Sequence, residues 1–274
     1  MSKIKNDTRR VFFKKGTCSR TLHFILDRHF DNLKANEEFA SSPLAGGILS
    51  QGYQCGMLWG STLAASAESF RKYSEQNQAI VHAMMASQYI IESFIKRAKS
   101  TDCMDITGTN FGNKYSMLKY MLTGKPIKCF NLAAKWAPEA IQAATEGLFH
   151  NPSDLPEIPV SCASEVARKL GASDEELVTV AGLAGGIGLS GNACGALGAA
   201  IWLNTLARVR NQTYKYGISD PDTEKIIAAF QKATNYEMEC RKITGRQFKS
   251  IADHTEFIKG GGCGKVIEIL AGAK

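Results

Sequence analysis

The chain is written twice, and this constrains its folding more than any other feature. Leu44-Ala45-Gly46-Gly47-Ile48, Gly52 and Cys55-Gly56 return as Leu183-Ala184-Gly185-Gly186-Ile187, Gly191 and Cys194-Gly195, every position displaced by 139. A second block, Cys103, Ile106-Thr107-Gly108 and Phe111, returns as Cys240, Ile243-Thr244-Gly245 and Phe248, displaced by 137. Matched order, register and spacing are the mark of an internal repeat. The remaining cysteines then pair off, Cys18 with Cys162 and Cys129 with Cys263. Each half carries four cysteines in one order, and the differences in length fall between the matched blocks, where loops tolerate insertion. Three prolines within 151–159 read as the join. The expected division is a first four-cysteine helical repeat over 1–150 and a second over 151–274.

A chain of 274 residues, 44% hydrophobic and 22% charged, has the composition of a folded globular protein. No apolar run approaches the ~18 residues that span a bilayer, so a membrane role is not expected. The opening MSKIKNDTRR has no apolar stretch behind it, so a secretory signal is not expected either, and the chain reads as cytoplasmic. There thiols stay reduced, and eight cysteines point to metal binding or redox chemistry before a disulfide framework. The net charge of +7 owes much to Lys3, Lys5, Arg9, Arg10, Lys14, Lys15 and Arg20. The expectation for this arm is a solvated, flexible terminus. With no finger, aromatic RNA-binding strand or basic heptad array behind it, a nucleic-acid partner is not expected.

Periodicity and end signals predict helices over 20–33, 56–73, 76–99, 114–122 and 131–149, the last kinked or broken at Pro138. In the second half they predict helices over 163–170, 174–183, 195–210, 221–238, 248–259 and 265–270, with Asp220-Pro221 as an N-cap followed by a first-turn proline. Alternating strand patterns are scarce. The fold class expected is all-α, two homologous helical bundles arranged as a pseudo-dimer.

Cys55-Gly56 and Cys194-Gly195 each follow a glycine-rich stretch and open a helical run. A sulfur at a helix N-terminus meets unpaired backbone N–H groups and the positive end of the dipole, which favour thiolate over thiol. The glycines Gly46, Gly47, Gly56, Gly185, Gly186, Gly195 and Gly262 are the candidates to bring backbone amides close to sulfur. Cys18, Cys55, Cys103, Cys129, Cys162, Cys194, Cys240 and Cys263 are the candidate metal ligands or redox thiols. Three chemistries stay open: a Cys₄ iron–sulfur cluster in each half, a Cys₄ zinc site, and a dithiol/disulfide relay. Zinc is the weakest of them, because structural zinc draws on close CxxC pairs and none exists here.

Two other features bear on function. Gly186-Ile187-Gly188-Leu189-Ser190-Gly191 spells a dinucleotide-binding fingerprint after Leu177-Val178-Thr179-Val180. It lacks the acidic residue about 20 positions on, and the stretch at 47–52 lacks the middle glycine, so NAD is not expected. His254 lies nine residues before Cys263 and could tune a cluster or act as a base; a partly exposed helix residue is the simpler expectation. Its counterpart, counting from Phe111, is Met117.

The four-cysteine order with a glycine-rich lead into the second cysteine resembles the C-GCAxxG-C-C family of redox-active proteins. Ser161-Cys162, Ala193-Cys194-Gly195-Ala196-Leu197-Gly198, Cys240-Arg241-Lys242-Ile243-Thr244-Gly245, and Cys263 with Val266 and Ile267 carry the likeness in the second half. Ala193 and Gly195 exchange the small residues around Cys194, and in the first half Gly60 falls one place late. The resemblance implies a redox role through the cysteines. It favours an iron–sulfur cluster in each repeat, passing electrons to a partner protein that the sequence does not name. Whether the chain catalyses a reaction of its own, or associates with like chains, stays open.

Overall fold

The computed structural model describes residues 2–109, 115, 116, 120, 122–150, 156–217 and 219–273. The first repeat contains α1 (Ser2–Lys15), α2 (Cys18–His29), α3 (Ala35–Ala40), a 3₁₀ turn (Ser42–Leu44), α4 (Gly56–Lys72), α5 (Gln76–Ala98), α6 (Cys103–Thr107) and α7 (Lys125–Phe149). The second contains α8 (Cys162–Lys169), α9 (Asp174–Ala181), α10 (Gly195–Arg210), α11 (Pro221–Ala233), α12 (Cys240–Thr244), α13 (Ile251–Lys259) and α14 (Gly264–Gly272). Among the described residues there is no strand, only an isolated antiparallel bridge between Gln54 and Asp102. The chain is all-α. Most of the helix expected over 114–122, Met117 included, and most of the join at 151–159 fall outside the described residues, while 115, 116, 120 and 122 are helical.

Local chemistry sets the helix starts. Thr17 caps α2 by accepting the Arg20 amide, Ser161 caps α8 by accepting that of Ser164, and Ser173 with Glu176 closes a reciprocal capping box on α9. Asp220 caps α11 with Pro221 behind it. Other boundaries depart from the sequence expectation. α2 stops at His29 and α11 at Ala233 because Asp31, Asn235 and Tyr236 take left-handed backbone angles, φ 53°, 51° and 64°. α7 is one helix with Pro138 inside it rather than two segments.

The largest departure is the N-terminus. The basic arm is a helix. Val11 and Phe12 are buried, Phe12 stacks on Phe130 of α7 at 4.2 Å, and ion pairs join Lys15 to Glu38 and Arg28 to Asp7. Arg9, Arg10 and Lys14 are exposed on α1.

In the first repeat α4 packs on α2 and α5, and α5 packs on α7; in the second α10 packs on α8, α11 and α14. Trp59, Trp136 and Trp202 are fully buried. The repeats meet reciprocally: α3 of the first lies on α10 of the second, and α9 of the second lies on α4 of the first. Such exchange of equivalent surfaces is the signature of an isologous, two-fold contact. Trp59 and Gly198 are equivalents, 139 apart, and they touch: a Cβ on Gly198 would lie 2.3 Å from the Trp59 ring. The duplicated halves therefore meet through equivalent elements within one chain. At that contact the Trp59 side chain fills the place of the side chain that Gly198 lacks.

Candidate functional site

Seven of the eight cysteines sit at helix starts. Cys18, Cys103, Cys162 and Cys240 are the first residues of α2, α6, α8 and α12; Cys55, Cys194 and Cys263 are the N-caps of α4, α10 and α14. Cys129 lies in the second turn of α7. All eight are free thiols. Backbone bonds clip the second and third cysteines of each repeat together. The Cys55 amide donates to the Thr101 carbonyl at 2.8 Å and the Cys103 amide to that of Tyr53 at 2.7 Å, while the Cys240 amide donates to Ala193 at 3.2 Å.

The glycine-rich stretches earn their composition in the backbone. Residues 46–50 have φ of 66°, 76°, 64°, 44° and 59°, and residues 185–189 have φ of 59°, 89°, 65°, 55° and 63°. Both repeats thus make a run of five left-handed residues, which costs each non-glycine about 1–2 kcal/mol. Gly46 and Gly185, equivalents in this run, direct their amides at the sulfurs of Cys18 and Cys162. At Gly47 and Gly186 a Cβ would strike backbone atoms at 2.3 and 2.5 Å, so these glycines serve the turn. Gly56 leaves room for sulfur itself, since its Cβ would lie 2.6 Å from Cys18 Sγ. Gly195 lets α10 close on the Leu183 carbonyl, and Gly262 lies under the Phe257 ring. The apparent dinucleotide fingerprint is part of this left-handed run. Leu177 to Val180 belong to α9, a helix, and Gly188 abuts the backbone of Ser87 and Gln88.

Electrostatically the quartets differ. In the first repeat the neighbouring Cys55 thiol, with the Gly46, Ser19 and Cys18 amides, outweighs burial and lowers Cys18 to about 7. The same pairing, with burial and the charges of Cys18 and Cys103, pushes Cys55 well up, so of the two thiols Cys18 is the one that ionises more readily. Cys103 is raised by burial and then by the charges of Cys18, Cys129 and Asp102. In the second repeat burial dominates everywhere. It raises Cys162 against the amides of Gly185, Ala163, Cys162 and Ala196. It raises Cys194 and Cys240 together with the charges of their partner cysteines, and raises Cys263 to about 12 with a further push from Cys162. Each quartet occupies one neighbourhood, its sulfurs within reach of one another's charge.

Among the described residues no three His, Cys, Asp or Glu side chains are grouped to hold a single metal ion. The zinc arrangement, ligands about 2.3 Å from one ion, does not fit these thiols as they stand. A cluster of several iron and sulfide atoms holds its thiolates further apart than one ion does. Four thiols in each repeat, with amides aimed at Cys18 and Cys162, have the donor chemistry it requires.

His254 is buried, not part-exposed. Its Nδ1 lies 3.1 Å from the Val160 carbonyl, its ring meets Phe248 edge-on, and burial lowers its pKa to about 4. It serves the core as a neutral ring. Two residues near sulfur carried no signal in the sequence. The Tyr120 hydroxyl lies 3.4 Å from Cys129 Sγ. Tyr216, on the connection between α10 and α11 of the second repeat, lies within reach of the Cys18 charge in the first. Two clefts also reach sulfur. One of about 280 Å³ between the repeats has Cys194 on its wall with Tyr53, Asp102 and Glu239. One of about 500 Å³ is lined by Cys263, Phe257, Lys242 and Lys265.

A family model described as "Putative redox-active protein (C_GCAxxG_C_C)" matches the chain twice, over residues 17–141 and 160–273. The chain belongs to this family. The C_GCAxxG_C_C unit is present here as a tandem duplication, and each matched segment contains one full quartet of cysteines. No curated protein and no solved structure matches the chain. Among the described residues no helix is long and apolar enough to cross a membrane.

Proposed function

We propose that this redox-active protein works by dithiol/disulfide exchange at Cys18 and Cys55. The opposite shifts of these two neighbouring thiols, Cys18 down and Cys55 up, carry the reading. A thiolate is the attacking form, and a thiol with a pKa near ambient pH is the best placed to attack. Cys18 is part-exposed, whereas Cys55 is buried. The Cys18 thiolate attacks one sulfur of a partner's disulfide. That S–S bond breaks, a mixed disulfide forms, and the partner's other sulfur leaves as a thiolate and takes a proton. Cys55 then loses its proton to solvent and attacks the Cys18 sulfur. The mixed disulfide breaks, the Cys18–Cys55 bond forms, and the partner departs as a dithiol.

A second reading is favoured by the convergence of all four thiols in each repeat. Cys18, Cys55, Cys103 and Cys129 would hold one iron–sulfur cluster and Cys162, Cys194, Cys240 and Cys263 another, with the Gly46 and Gly185 amides bonding to ligand sulfur. Such a cluster supplies one-electron transfer. Isolation without oxygen separates the readings. The exchange reading expects colourless protein that forms a Cys18–Cys55 disulfide, located by peptide mass spectrometry, when treated with a small disulfide. Brown protein with stoichiometric iron and acid-labile sulfide would overturn it in favour of the cluster.

A further inference from the structure

The two quartets differ at one place where a hydroxyl touches sulfur. Counted from the matched Phe111 and Phe248, Tyr120 and Phe257 are equivalents, both displaced by 137. The Tyr120 hydroxyl lies 3.4 Å from Cys129 Sγ, within the reach of a sulfur hydrogen bond. It is also close enough to feel the charges of Cys103 and Cys18, so it stands among three of the four sulfurs of its repeat. In the second repeat the unhydroxylated ring of Phe257 lies over Gly262, beside Cys263. The first three cysteines of each quartet take matched helix positions, and the repeats part at the fourth, Cys129 lying in the second turn of α7 and Cys263 capping α14.

We propose that Tyr120 is a positioning residue that sets the reduction potential of the first quartet above that of the second. Reduction places more negative charge on sulfur. A hydroxyl donating to that sulfur therefore stabilises the reduced form more than the oxidised one, and hydrogen bonds to charged acceptors are the stronger kind. The sign is the same whether the reduced species is a thiolate released from a disulfide or a ligand sulfur on a cluster, since hydrogen bonds to sulfur tune clusters too. The proposal rests on the redox reading of the quartet as a whole, with Cys129 among the sulfurs that gain charge on reduction; exchange confined to Cys18 and Cys55 would leave the potential unmoved by Tyr120.

The test is a redox titration of the full-length chain isolated without oxygen. Each quartet is read separately, by differential alkylation and mass spectrometry of the Cys129 and Cys263 peptides. If the isolated chain carries iron and sulfide, visible absorbance is followed instead. Tyr120→Phe keeps the ring and removes only the hydroxyl. At a fixed ambient potential it should lower the reduced-to-oxidised ratio of the first quartet about tenfold, which is about 30 mV for a two-electron couple, and leave the second quartet unchanged. Phe257→Tyr, whose hydroxyl would enter the cleft that Phe257 and Cys263 both line, should raise the ratio of the second quartet and spare the first. Thermal unfolding of each variant is measured alongside, because a merely structural tyrosine would move the melting temperature without separating the potentials. A Tyr120→Phe chain that is folded and titrates like the wild type overturns the proposal, and so does an equal shift of both quartets. If Tyr120→Phe does not fold, Phe257→Tyr decides by the same readout. A wild-type chain with no redox transition at either quartet removes the redox reading itself, an outcome distinct from a transition that Tyr120 does not move.

Discussion

The two repeats share a backbone plan and diverge at the sulfurs. Both start a helix on the first cysteine, both aim a left-handed glycine amide at it, and both clip the second cysteine against the third. Only in the first does a neighbouring thiol add to the amides and lower the first cysteine, to about 7. In the second the same amides act on Cys162, and burial still wins. The comparison teaches that a helix start with well-aimed amides does not by itself make a reactive thiolate in a buried site. A further contribution has to offset the loss of water, and here it comes from the second thiol. The first repeat also has Tyr120 where the second has Phe257.

The sharpest break between the copies is expected at the left-handed run. Gly188 of the second repeat corresponds to Leu49 of the first, and both have positive φ. A Cβ on Gly188 would stand 2.5 Å from the Gln88 amide nitrogen and 2.6 Å from the Ser87 carbonyl carbon, because this turn presses on α5 of the other repeat. Gly188→Ala therefore adds backbone strain of about 1–2 kcal/mol and overpacking of about 1–3 kcal/mol. A loss of about 3 kcal/mol or more in urea unfolding is expected. Leu49→Ala leaves its backbone strain as it is and trims a part-buried side chain, so roughly half that loss is expected. Equal losses at the two sites would mean that the turns are equivalent and that the pressure on α5 is not what demands glycine.

Next in size is the pairing of Cys18 with Cys55. Cys55→Ala removes the thiol that lowers Cys18. The ionisation of Cys18 should then climb from about 7 toward its ordinary value of 9.0, and at pH 7 its thiolate should fall from about half the molecules to about one in a hundred. The alkylation rate of Cys18 by iodoacetamide, followed by peptide mass spectrometry, should drop about fiftyfold at pH 7, with its pH midpoint displaced upward. The matched substitution Cys194→Ala should change the rate at Cys162 by less than about threefold. A fall of similar size in both repeats would erase the asymmetry on which the exchange reading depends.

How far the sequence reached follows from the range of the interactions involved. Features set by neighbours along the chain were legible: the duplication, the cap at Asp220-Pro221, α10 at its exact observed bounds and the all-helical class. Features set by contacts across the fold were not. The α1 segment shows a run of cations in the sequence, and its burial depends on Phe12 meeting Phe130, 118 positions away. Gly188 sits in a passable nucleotide fingerprint, and only the run of positive φ and the nearness of Ser87 reveal why it is glycine. His254 was expected on an exposed face, but its ring is held inside by the Val160 carbonyl from the start of the repeat. The cysteine quartets were legible as a set. The singling out of Cys18 was not, because it depends on a sulfur 37 residues on.

The smallest of these contrasts lies on α2 and gives a pH signature. This helix runs to His29, whereas its counterpart α8 ends at Lys169; the extra turn carries Asp27, buried with its Oδ2 3.5 Å from Nε2 of buried His23. Burial raises Asp27 from 3.8 to about 8, against the Lys34 amide and charge, and lowers His23 from 6.5 to about 3. The pair is therefore neutral in the fold near pH 7. A carboxyl raised in the fold gives stability that is fully present below 3.8 and is lost as pH rises through about 8. A histidine lowered in the fold gives stability that is present above 6.5 and is lost as pH falls toward 3. Between pH 4 and 6.5 the two slopes oppose each other; from 6.5 to 8 only Asp27 is left to act within the pair. Asp27→Asn keeps the shape and cannot ionise. Its stability relative to wild type should grow by about 2 kcal/mol between pH 6.5 and pH 8, at about 1.4 kcal/mol per unit for one proton. Urea unfolding at the two pH values measures it. A difference that stays constant would show that Asp27 is already ionised in the fold, paired with a protonated His23, and that the longer helix of the first repeat buries an ion pair where neutral partners are expected.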